Sequence, residues 1–126
     1  MTAHTFHTAD ILDEIGVERR AQDDKWGEQN HPDVDTVLMS RPGGCRPERM
    51  AEHYAIPSAT HARTTCDGRH HRGDGTFADI LIEEVAEAIE AAVLLGEEGL
   101  RAELIQVAAV AAAWVECIDR RARGET

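Results

Sequence analysis

Basic residues are scarce in this chain. Thirteen Lys and Arg stand against 24 Asp and Glu, a formal net charge of −11 at pH 7. A chain this acidic repels a phosphate backbone, which excludes a nucleic acid or an anionic membrane as its main partner. It does not exclude a phosphate substrate, because a bound cation inverts the local charge. Aromatic residues are only 4% of the total although 42% are hydrophobic. Alanine supplies much of the difference, and alanine favours closely packed helices. Long apolar runs are missing too: the longest, Val107 to Val115, has nine residues, whereas a membrane span needs about twenty. No apolar segment of the signal-peptide kind follows Met1-Thr2-Ala3-His4. The three cysteines, Cys45, Cys66 and Cys117, form no C-x-x-C pair, and their odd number closes no disulfide framework. Reduced thiols in a cytoplasmic protein are the expectation. The 126 residues suit one domain with a core of its own, with no internal repeat.

What is present is helical pattern. A first helix is expected from about Ala9 to Lys25, with Thr8 as N-cap and Gly27 as terminator. Its stripe begins with Ile11 and Ile15 and turns polar through Glu18, Gln22 and Trp26. Residues 28–34 read as loop and 41–47 as a turn or linker. Two short helices are expected over about 47–54 and 58–66, the second capped by Ser58, and 67–75 reads as an exposed, mobile loop. Thr76 and Asp79 resemble a capping box opening a helix that runs to about Leu95. Gly96 and Gly99 bracket a turn, and a last helix is expected from about Leu100 to Arg121, its basic end suiting the helix dipole. Two long helices joined by a short turn should lie antiparallel.

The chemistry is concentrated on those two helices. Glu84 and Glu87 are three residues apart, on one face of a helix with Ile80, Ala91 and Leu94. Glu103 shares a stripe with Val107, Val110, Trp114 and Cys117. Trp114 reads as packing. Carboxylates that border apolar faces need relief, either through raised pKa values or through a divalent cation, and clustered carboxylate oxygens suit Mg²⁺ or Mn²⁺. Glu83, Glu84, Glu87 and Glu90 can also be a solvated face, and Glu103 is favourable at a helix N-terminus on charge alone.

These residues resemble the all-α nucleoside triphosphate pyrophosphohydrolases of the MazG-like superfamily. That pattern is E-E-x-x-E followed by E-x-x-D. Glu83, Glu84 and Glu87 supply the first part, and Glu103 follows after fifteen residues. The segment from Glu18 to Gln29, with Gln22, Lys25, Trp26 and Gly27, resembles the E-R-x-x-Q-x-x-K-W-G run of one branch. The likeness covers 18–29 and 79–119, and leaves 34–75 as a variable insert in a single domain, 1–126. It implies a helical bundle completed by oligomerisation, as a homodimer or homotetramer. It implies a Mg²⁺-dependent enzyme, with Mn²⁺ as possible substitute, that hydrolyses a nucleoside triphosphate to monophosphate and pyrophosphate. In that scheme Glu84, Glu87 and Glu103 ligate metal, and Glu83 is a further ligand or orients the attacking water. Gln106 takes the position of the family's last Asp, and its amide oxygen can ligate but brings no charge. Trp26 would stack on a base, Gln22 or Gln29 would bond its edge, and Lys25 would meet a phosphate.

Other readings stay open. Gln106 can mark a non-catalytic helical interaction protein descended from such enzymes, and a related all-α phosphohydrolase would act on a phosphoribosyl nucleotide. Trp26 can be core instead of a platform. His53, His61, His70 and His71 stand at no zinc spacing. The run Arg69-His70-His71-Arg72 could instead clamp a triphosphate tail.

Overall fold

In a computed structural model, residues 3–94 and 96–124 are described, with side chains from His7 onward. They contain six α-helices and no strand. These are α1 (Ala3–Trp26), α2 (Thr36–Met39), α3 (Pro47–His53), α4 (Ala59–His71), α5 (Phe77–Leu94) and α6 (Gly96–Ala122). The chain is all-α, and no helix among the described residues is long and apolar enough to cross a membrane. Contacts divide it into two compact units. Residues up to His31 together with those from Ala111 onward form one; Pro32–Val110 form the other.

In the first unit, α1 starts six residues earlier than the sequence suggests. Thr8 is therefore not the N-cap of α1. It lies inside the helix, and its hydroxyl donates to Glu116 Oε1 at 2.7 Å. Glu116 is only 6% exposed, so this bond offsets the desolvation of a buried carboxylate. His7 Nε2 lies 3.2 Å from Asp119 Oδ2. Ile11 and Ala112 are buried, whereas Ile15 and Val115 are exposed beside a shallow apolar groove. Gly27 ends α1 as expected. Its N–H reaches Asp23 O at 2.7 Å with φ of +72°, a left-handed conformation open to glycine at little cost.

The second unit holds the larger core. Its 34–75 stretch contains three helices and supplies most of the buried apolar side chains. Val34, Leu38 and fully buried Met50 form one cluster, joined by Cys45 and by Ile89, Ala92 and Val93 of α5. Ala59, Ala62 and Ala86 form another, where small side chains let α4 and α5 approach closely. Asp35 caps α2 by accepting from Leu38 N–H at 3.0 Å. Its own N–H donates to Tyr54 OH at 2.9 Å, and its Oδ2 lies 3.3 Å from His53 Nε2, tying α2 to the end of α3. Ser58 caps α4 by accepting from His61 N–H at 3.2 Å.

The expected loop at 67–75 is mostly helix. α4 continues through Asp67–His71, because Gly68 is tolerated inside it and the terminal Arg69, His70 and His71 favour a helix C-terminus. Arg69 and Arg72 are engaged locally, Arg69 Nε with Asp79 at 3.4 Å and Arg72 Nε with Asp74 at 4.0 Å. The Thr76–Asp79 capping box forms. Asp79 N–H donates to Thr76 Oγ1 at 3.2 Å, and Asp79 Oδ2 accepts from Thr76 N–H at 3.1 Å. Leu95, assigned to the end of the α5 helix, lies outside the described residues. The turn expected to extend to Gly99 is shorter, since α6 begins at Gly96 and carries Glu97 and Glu98 in its first turn, where negative charge is stabilised.

Candidate metal centre

Glu84 and Glu87 share a face of α5, and α6 brings Glu103 to them. One carboxylate oxygen from each lies within 4.8 Å of the others, and all three residues are half-buried. Glu87 and Glu103 each stand seven residues from the α5–α6 junction, about 10 Å of helix on either side. A straight continuation of α5 into α6 would hold Glu87 and Glu103 more than about 20 Å apart, so their meeting requires the two helices to be bent toward each other. Among the described residues this is the one group of three or more Asp, Glu, His or Cys with ligand atoms so close together.

The electrostatics reflect the crowding. Burial pushes the Glu84 carboxyl above its ordinary pKa, and Glu87, Glu103 and Glu83 push it the same way. Glu83 is raised by burial first, then by Glu87 and Asp67. Its Oε1 is buried with no hydrogen-bond partner among the described residues. The Cys66 thiol is raised by its own burial and then by Glu83, Asp79 and Asp67. Asp79 goes the other way, lowered chiefly by the Thr76 hydrogen bond.

Arg63 is the residue that sequence reasoning missed. Its Nε and Nη2 both donate to Glu87 Oε1, at 3.4 and 3.2 Å. Ala62 and Ala86, the residues just before Arg63 and Glu87 on their helices, are buried in one cluster. No local pattern signals the pairing of Arg63 with Glu87, which are 24 residues apart on different helices.

Three close carboxylates satisfy the donor chemistry of a hard divalent cation. Gln106 is exposed. Of the proposed substrate contacts, Gln22, Lys25, Trp26 and Gln29 belong to the first unit. Trp26 is 57% exposed, so the core reading of it is wrong. The reason is that Ile11, one end of the α1 stripe, is buried and the other end is not. Trp26 and Gln29 line a concavity of about 630 Å³ with Glu28, Asn30 and His31. Gln22 and Gln29 line a neighbouring one. Lys25 Nζ lies 4.9 Å from the Trp26 ring centroid, a cation–π contact. No protein-family model, curated protein or solved structure matches the chain.

The pKa directions predict how metal-free stability varies with pH. Glu83 and Glu84 bind protons more tightly when folded. Their contribution is present below the ordinary 4.5 and is lost as pH rises through their raised values. Asp35 and Asp79 are lowered from 3.8, so theirs is present above that value and lost as pH falls through the lowered ones. Thermal melts in chelator should therefore show Tm falling as pH rises above about 4.5 through the raised range of Glu83 and Glu84, with an added divalent cation opposing the fall. A metal-free Tm that climbs across that window would contradict the assignment.

Proposed function

We propose that this chain is a Mg²⁺-dependent nucleoside triphosphate pyrophosphohydrolase of the MazG-like type. The observation that carries the reading is the meeting of Glu84, Glu87 and Glu103 within 4.8 Å, at the positions the sequence resemblance assigns to metal ligands. A divalent cation held there would neutralise phosphate charge and acidify a water. The chain's own residues do the rest. Glu84, Glu87 and Glu103 bind and orient, and Gln106 offers a neutral oxygen one turn beyond Glu103. Glu83, the residue before Glu84 on α5, would be a further ligand or would orient the attacking water and take its proton. The water oxygen bonds to the α-phosphorus, the bond from that phosphorus to the α,β-bridging oxygen breaks, and pyrophosphate leaves. The same reading gives base stacking to the exposed Trp26, base-edge hydrogen bonds to Gln22 and Gln29, and a phosphate contact to Lys25. Incubation with a nucleotide panel and Mg²⁺ should release pyrophosphate and monophosphate, and EDTA should stop it. Orthophosphate as the only product, or turnover indifferent to EDTA, would refute the mechanism.

The proposal includes self-association in a cytoplasmic setting. Ile15 and Val115 stand exposed beside the apolar groove of the first unit, and Leu104 and Ile105 are exposed on α6. Light scattering at micromolar concentration should give at least a dimer, and a stable monomer would remove this part. The exposed Leu104 and Ile105 also favour a second reading, a non-catalytic helical interaction protein. That reading gains if no nucleotide is turned over.

A further inference from the structure

We propose that Arg63 is a transferable counter-ion: it holds Glu87 while the carboxylate cluster lacks a cation, and passes to the polyphosphate of the substrate once a cation takes its place. The inference rests on the cation-binding reading of Glu84, Glu87 and Glu103. Two N–H groups of one guanidinium converge on Glu87 Oε1. Glu87 is thus the member of the cluster that already carries a positive partner. The Glu87 side chain is 20% exposed and that of Arg63 49%, so the carboxylate is set in place while the guanidinium stands partly in water. Burial of Ala59, Ala62 and Cys66 anchors the Arg63 helix without involving its charged end.

A cation beside Glu87 meets this guanidinium as a like charge, so Arg63 opposes cation binding. Two of its five N–H groups are used on Glu87, and the rest remain for another acceptor. A polyphosphate delivered to the cation offers the oxygens that a guanidinium fork binds in pairs. Removing Arg63 therefore has effects of opposite sign: the cation binds more tightly and the phosphate more weakly. A residue that only supports the fold would weaken both.

The test uses the full chain, Mn²⁺ alone and then inorganic pyrophosphate at saturating Mn²⁺, so it needs no turnover. Paramagnetic resonance of free Mn²⁺ reads the first affinity and calorimetry the second. Arg63→Gln should bind Mn²⁺ about tenfold more tightly and pyrophosphate about tenfold more weakly than the unmodified protein. Arg63→Lys keeps the charge but not the fork, so its Mn²⁺ affinity should stay within about twofold while pyrophosphate weakens. The inference is overturned if both affinities of Arg63→Gln move together or stay put, or if Arg63→Lys tightens Mn²⁺ as Arg63→Gln does. If neither the unmodified protein nor either variant binds Mn²⁺, it is the cation reading itself that fails.

Discussion

On the proposed hydrolase reading, replacing Glu103 with Gln should lower pyrophosphate release by about a thousandfold or more while leaving the metal-free protein at least as stable as before. A cation at such a centre contributes several kcal/mol of transition-state stabilisation, and each 1.36 kcal/mol is about tenfold in rate. The substitution is nearly isosteric and removes one of three carboxylates whose oxygens lie within 4.8 Å. Two such charges repel by up to about 4 kcal/mol at an effective dielectric near 20, and partial exposure screens that well below the ceiling. Glu103 makes no hydrogen bond or ion pair among the described residues, so its neutralisation is net relief. Glu87→Gln should cost as much activity but gain less stability, because it deprives Arg63 of its partner. Parallel assays of turnover and of Tm in chelator check both. A Glu103→Gln protein with normal turnover, or one that melts well below the unmodified chain, would remove Glu103 from the centre.

The largest effect on stability should come from Met50→Ala. Met50 is 0% exposed and forms one buried cluster with Val34 and Leu38, against which Ile89, Ala92 and Val93 of α5 pack. Truncating a fully buried Met costs about 2–5 kcal/mol, from lost transfer energy and from the cavity left behind. A domain has about 5–15 kcal/mol in all. Tm should fall by roughly 10 °C. Met50→Leu nearly conserves volume and should cost less than about 1.5 kcal/mol. Val37→Ala, at a side chain 70% exposed on the neighbouring α2, should stay within about 0.5 kcal/mol. Denaturant titrations of the three variants decide the matter. If Met50→Ala costs no more than Val37→Ala, α3 does not pack on α5 as described. The effect reaches the carboxylates because α5 carries Glu84 and Glu87 and α3 and α4 brace it.

Much of this protein is local chemistry and can be read along the chain. Helix periodicity, the Thr76–Asp79 box, the Ser58 cap and the Gly27 stop all depend on residues within a turn of one another. So does the pairing of Glu84 with Glu87, which follows from a spacing of three on a helix. Local signals fail where a helix can begin or continue without a marker. Thr8 reads as a cap but lies inside α1, and Asp67–His71 reads as loop but extends α4. Composition marks a polar segment, but whether it is helical depends on what the helix packs against.

The remaining features come from contacts between residues far apart in sequence. The approach of Glu103 of α6 to Glu84 and Glu87 of α5 is one of them. The close approach of α4 and α5 at Ala62 and Ala86 puts Arg63 on Glu87, which no acidic pattern on α5 could reveal. Met50 rather than any aromatic side chain fills the core, and Trp26 is left in the open. Helix hydrogen bonds and caps span about four residues, so sequence determines them directly. Burial, counter-ion choice and the convergence of charges depend on which surfaces exclude water together, and tertiary packing alone decides that.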